Sequence, residues 1–156
     1  MSTTTTTMTT MVNAAFLQEV KDSNVQFWSN LDDLKKLLAD QGQPREQSIL
    51  MVRILNELRD SIALEFSLEE TYGYILGSQN LNYVTAARAT QARRQHGELY
   101  LQLHEILERA EEAQYRGTIS RDYISFAGAC EEFLDAMQTH EQLESELIRQ
   151  GLGMGR

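Results

Sequence analysis

Thiols, prolines and long apolar runs are scarce in this chain, and each shortage closes off a class of protein. Only Cys130 is a cysteine, so no disulfide can form within the chain and no paired-thiol metal or redox motif exists. No apolar run approaches the roughly 20 residues that a membrane-spanning helix needs. Basic residues are also few: 14 Lys and Arg stand against 23 Asp and Glu, a net charge of −9. That balance argues against a nucleic-acid backbone or an anionic membrane as partner. The first residues, MSTTTTTMTTM, lack the basic and apolar regions of a signal peptide. A cytoplasmic location is the expectation that follows.

What is present is an ordinary globular composition, 42% hydrophobic and 24% charged over 156 residues, long enough for one domain with a real core. Residues 1–11 read as a disordered Thr-rich tail and 151–156 as a flexible C-terminal tail. Pro44, the sole proline, sits in QGQPRE between two periodic segments. There Gly42 can end one helix and Pro44 can begin the next. Gly77 with SQN marks a second break, and Gly117 with Thr118 and Ser120 a third, the hydroxyls supplying an N-cap. Four helices are predicted, at about 13–40, 45–76, 80–115 and 119–149.

Apolar residues recur at steps of 3 and 4 in each of them, which keeps them on one helical face. The stripes are Phe16, Val20, Phe27, Leu31, Leu34 and Leu38; Leu55, Leu58, Ile62, Tyr72 and Leu76; Ala89, Ala92, Leu99, Leu103 and Ile106; and Tyr123, Phe126, Cys130, Phe133, Met137 and Leu147. Short loops between such helices favour antiparallel neighbours. An all-α, antiparallel up-down-up-down four-helix bundle over residues 12–150 is the expected fold.

Each stripe is interrupted by polar groups: Asn24 in the first, Glu65 and Glu69 in the second, His96 in the third, His140 and Glu144 in the fourth. Counting outward from the loops, at ~1.5 Å per residue, places all of them in one layer to within one or two turns. Burying three carboxylates and two imidazoles without a partner costs several kcal/mol per charge, and a cation is the simplest partner. Imidazole with carboxylate suits iron, manganese or zinc. A ferritin-like site needs Glu-x-x-His pairs, and no His here has a Glu three residues before it. The metal-free alternative is a buried carboxylate–imidazole network that satisfies its own hydrogen bonds. For Glu65 the choice lies between a ligand and a group that pairs with a histidine. Asn24 is more simply a hydrogen-bonding residue than a ligand. Tyr100, one turn past His96, can supply a phenolate or bond a carboxylate; His104 falls off the stripe, and Cys130 reads as a small buried hydrophobe.

In LRDSIALEFSLEETYGY, RRQHGELYLQL and THEQLESELI the chain resembles a hemerythrin-like (HHE cation-binding) domain, over most of the region from Phe16 to about Gln150. The resemblance implies a non-haem di-iron centre that binds or senses dioxygen and related ligands. Glu69, His96, His140 and Glu144 match the family pattern. Asn24 and Glu65 stand where the family has histidines, and Tyr100 falls at an optional third-helix histidine. The implied site is therefore richer in oxygen, with metal candidates Glu65, Glu69, His96, His140 and Glu144.

Three functions follow. The first is an iron-binding module for dioxygen, nitric oxide or iron itself, with two ions or one, any output passing to a separate protein partner. The second is a degenerate bundle without metal, acting structurally or in protein interaction. The third is an oxygen-activating enzyme, for which no residue identifies a substrate pocket.

Overall fold

Local breaks in the helical pattern shape this molecule as much as the pattern does. The computed structural model describes residues 9–77 and 83–153. Within them the order is β1 (Thr9–Val12), α1 (Ala14–Ser23), α2 (Val25–Ala39), α3 (Pro44–Leu68), a π turn (Glu69–Gly73), β2 (Tyr74–Gly77), α4 (Tyr83–Arg116) and α5 (Tyr123–Gly151). Among the described residues the fold is all-helical apart from one two-stranded antiparallel sheet, β1 with β2.

The helix expected over 13–40 is two helices. Asn24 leaves the helical region (φ −96°, ψ 71°) and its side chain accepts from the Phe27 amide at 3.4 Å, the usual work of an N-cap asparagine. The break strips carbonyls at the end of α1 of their helical partners, and the Trp28 indole N–H takes up one of them, Lys21 O, at 2.7 Å. It also rephases α1: Phe16, expected in the core, is half exposed, and Leu17 is buried in its place.

The helix expected over 45–76 ends at Leu68 and passes through the π turn into β2. Gly73 closes that turn because α1 crosses it closely. A Cβ there would stand 2.7 Å from Leu17 Cδ1, and only glycine omits it. Tyr72 and Leu76, expected on the buried stripe, are consequently exposed.

Of the expected N-terminal tail, residues 1–8 lie outside the described residues. Its last three instead belong to β1, Thr9 opposite Gly77, Thr10 opposite Leu76 and Met11 opposite Ile75. Threonine suits extended backbone, and the strand that follows the π turn supplies the hydrogen-bonding partner. The loop expected around Gly77 falls mostly on 78–82, also outside the described residues.

Gly117 ends α4 in the left-handed region (φ 75°), with Thr118 N–H bonded to Ala113 O at 2.8 Å, as expected of a helix-terminating glycine. The hydroxyl cap expected for the last helix does not form. That helix starts later, at Tyr123, and the Thr118 hydroxyl turns back to the Ala113 carbonyl. The last helix also runs two residues further than expected, to Gly151, so the tail expected from 151 begins beyond it; residues 154–156 lie outside the described residues.

Helix α2 packs on α3, α3 on α4 and α4 on α5, and α5 touches both α1 and α2. The main apolar cluster gathers Phe27, Leu34, Leu58, Leu103 and Phe133 with their neighbours. A smaller one, with Leu17, Tyr74, Ala92 and Leu147, lies toward the sheet. In α4 and α5 the polar residues fall in sequence between members of these two clusters, His96 between Ala92 and Leu99, and His140 and Glu144 between Met137 and Leu147. Apolar packing therefore flanks the polar layer on both sides. Among the described residues, no helix is long and apolar enough to cross a membrane.

Candidate metal centre

Five elements deliver side chains to the polar layer: Lys21 from α1, Glu65 from α3, Glu69 and Glu70 from the π turn, His96 from α4, and His140, Glu141 and Glu144 from α5. Glu65, Glu69, His140 and Glu144 are 0% exposed, His96 4% and Lys21 7%. Such burial is rare for ionisable groups unless they are paired.

The wide π turn sets the carboxylates. Its defining bond runs from the Tyr74 amide to Glu69 O, and such turns favour functional positions. Successive residues then grip one imidazole: Glu69 Oε1 lies 2.9 Å from His96 Nε2, and Glu70 Oε1 lies 3.1 Å from His96 Nδ1. Arg93, one turn before His96, anchors Glu70 from outside. His96 Nε2 is also 3.2 Å from Glu144 Oε2, which accepts the Tyr74 hydroxyl at 2.6 Å. Phe66 stacks on His96 with ring centroids 4.2 Å apart and fixes its plane.

His140 is held from the other side. Its Nδ1 is 2.8 Å from Gln95 Oε1, an orienting contact of the kind that sets which ring nitrogen faces a metal. Its Nε2 approaches Glu144 Oε1 at 3.0 Å without the alignment a hydrogen bond needs, and has no other partner.

Donor atoms of Glu69, His96, His140 and Glu144 all lie within 4.8 Å of one another. Ligands at 2.0–2.2 Å from one ion are separated by at most about 4.4 Å, so the four are placed to hold a metal ion after a slight inward turn. Glu65 is not in this set. Its Oε1 accepts from Asn24 Nδ2 at 3.1 Å, and its buried Oε2 has no hydrogen-bond partner. Asn24 is thus a double fixture, capping α2 and holding Glu65. Tyr100 stays outside as well, half-buried and stacked on His104, which pairs with Glu108 at 3.1 Å.

Foremost among the site residues that the sequence pattern did not point to is Lys21. Its ammonium lies 2.7 Å from Glu144 Oε1, 2.8 Å from Glu141 Oε2 and 3.5 Å from Glu69 Oε2. Burial alone would lower its pKa; the charges of Glu144, Glu69 and Glu141 overcome that and raise it, so it stays an ammonium. Leu17, Lys21, Asn24 and Trp28 follow a 4-3-4 spacing, a signal that phasing the first stripe on Phe16 concealed. Tyr74, Glu70, Gln95 and Glu141 were missed too, since only the π turn and the strand bring the first two inward.

The carboxylates divide in character. Burial pushes Glu69 well above the ordinary carboxyl range, helped by the Glu144 charge and the neighbouring Glu65 carboxyl. Glu144 is likewise penalised by burial, but His140, His96 and Lys21 outweigh it and hold the group well below that range. Burial and the Glu144 charge raise Tyr74, which remains a neutral donor. The two groups are therefore pushed in opposite directions, Glu144 toward its ionised form and Glu69 toward its neutral one, and a bound cation would favour the ionised form of both.

Beside Asn24 an open groove of about 500 Å³ is lined by Gln26, Asn30, Asp60, Ser61 and Leu64. It reaches Asn24 at the edge of the layer, while Glu65 stays fully buried. No protein-family model, no curated protein and no solved structure matches this chain.

Proposed function

We propose that this protein is a hemerythrin-like metal-binding module that holds iron and through it binds or senses dioxygen or nitric oxide in the cytoplasm. One observation carries the reading: two imidazoles and two carboxylates converge in a buried layer, and the His140 Nε2 that faces them, 3.0 Å from Glu144 Oε1, makes no aligned hydrogen bond. An orphaned buried nitrogen costs about 1–3 kcal/mol, a cost that coordination would remove. Two nitrogen and two oxygen donors without thiolate suit iron, manganese or zinc; the family resemblance favours iron. The packing of α2 on α3, α3 on α4, α4 on α5 and α5 back on α1 and α2 supports an up-down-up-down four-helix bundle, with α1 and α2 together as its first helix.

A bound iron would supply the open coordination position for a diatomic ligand. The chain's own residues do the rest. Gln95 orients His140, Glu70 orients His96, Phe66 walls off the imidazoles, and Tyr74 donates to Glu144. Loading with iron(II) under argon, followed by absorption spectra on admitting air or nitric oxide, tests the reading. Retained iron with new charge-transfer bands, lost in Glu69→Ala and His140→Ala variants that keep their helical circular dichroism, is the expected result. Variants that load iron like the parent would remove the assigned site.

Lys21 favours a second reading, a metal-free structural bundle, because its ammonium already neutralises part of the layer. That reading requires thermal stability to be indifferent to iron, whereas a ligand that binds only the folded state raises it.

A further inference from the structure

Glu69 and Glu144 each face two ways. Glu69 turns Oε1 toward His96 and Oε2 toward Lys21, and Glu144 turns Oε2 toward His96 and Oε1 toward both Lys21 and His140. Two carboxylates that span a pair of positions in this way form the bridge expected between two cations. One position lies among His96, His140 and the oxygens that face them, Glu144 Oε1 being shared between His140 and Lys21. The other is made of oxygen alone, from Glu69, Glu144 and Glu141, and the Lys21 ammonium sits in it.

Accepting the metal-binding reading above, we infer that Lys21 is a built-in cation that permanently fills the all-oxygen half of the centre. The protein then takes a single divalent ion, on the His96–His140 side. Several observations agree. The ammonium is tied by three carboxylates, and the backbone carbonyl of its own residue is fixed by the Trp28 indole. The indole ring also lies beneath the charge, 5.8 Å from Nζ to the ring centroid, a favourable cation–π placement. Lys21 is thus held by neighbours on α2, the π turn and α5, as a resident group is. A lysine tail cannot leave such a cage as a hydrated ion can, so the second position is closed to exchange. Removing the side chain empties a pocket of three carboxylate oxygens, which suits a hard divalent ion.

The test uses the full chain, stripped of metal and equilibrated with iron(II) under argon or with manganese(II). Metal per chain is read by mass spectrometry. Coupling between ions is read from the manganese resonance spectrum, in which one isolated ion shows six hyperfine lines and a bridged pair does not. One ion per wild-type chain with the isolated spectrum, and two per Lys21→Ala chain with a coupled spectrum, are the expected results. Should Lys21→Ala fail to fold metal-free, it is refolded with the metal present, and the inference requires it to take two ions. Two ions in the wild type would overturn the inference and leave the metal-binding reading standing. One ion in both proteins would overturn it as well, since no position would have been opened. No ion in the wild type, whatever the variant does, would overturn the metal-binding reading and this inference with it.

Discussion

Replacing Lys21 by methionine in the metal-free protein removes the ammonium and keeps most of the side-chain volume, so the loss measures charge and not a cavity. Removing one partner of a buried ion pair typically destabilises by about 3–5 kcal/mol, because the other charge is left uncompensated. Three carboxylates face Lys21 here, but burial biases Glu69 toward its neutral form, and Glu141 is 18% exposed to water. Glu144, fully buried and ionised, is the group left without its closest cation. The two histidines beside it retain part of the compensation. We therefore expect the lower end of the range, about 3 kcal/mol. For a chain of this size each kcal/mol shifts the melting temperature by about 2–4 °C, so the midpoint falls by about 6–12 °C. Urea and thermal unfolding in chelator at pH 7.5 would read both quantities. Added salt is expected to change the difference little, since buried pairs are weakly screened. Lys36→Met, which breaks an exposed pair with Asp32, is the control and is expected to leave stability unchanged. A Glu144→Gln partner completes a double-mutant cycle; the double variant should lose less than the two single losses added together. A loss under about 1 kcal/mol for Lys21→Met, the value of a surface pair, would refute the assignment of Lys21 as a buried counter-charge.

The other predictions concern the turn, the thiol and the two unlike carboxylates. Gly73→Ala would place a Cβ 2.7 Å from Leu17 Cδ1 and 3.3 Å from Leu17 Cα; a urea-measured loss of about 1–3 kcal/mol is expected from overpacking, and an unchanged midpoint would show that α1 does not cross the turn so closely. Cys130 is buried, and burial pushes its thiol up to about 12, so alkylation at pH 8 should need denaturant; fast modification of the native protein would contradict its place in the core. Glu144 has its folded pKa below its unfolded value, so the stability it contributes is present above the ordinary carboxyl range and lost as pH falls through the folded value. Glu144→Gln should therefore flatten the acid limb of the stability curve. Glu69 has the opposite sign: its contribution is present below the ordinary range and lost as pH rises through its raised folded value. Glu69→Gln should abolish that rise-dependent loss in metal-free protein while also weakening metal loading; a variant less stable than the parent at pH 7.5 in chelator would contradict the upward shift of Glu69.

The helical class, the turn signals at Pro44 and Gly117, and the coincidence of Glu69, His96, His140 and Glu144 in one layer were legible in the order of the residues. All of these are local: a 3/4 spacing names a helical face, and a proline or glycine acts on its own backbone. Tertiary structure decided the rest. Asn24 can lie within a helix or cap one, and Trp28 bonding the Lys21 carbonyl accompanies the second choice. The π turn and β2 exist because Gly73 lets α1 approach and because residues 9–12 supply a strand from more than 60 positions away, a pairing that no local pattern encodes. Lys21 shows the difference most clearly. On its own helix it is one more lysine in a charged segment. It becomes a buried cation only when Glu69 from the turn and Glu141 and Glu144 from α5 close around it, since a charge is tolerated in a core only where its partners arrive from other elements.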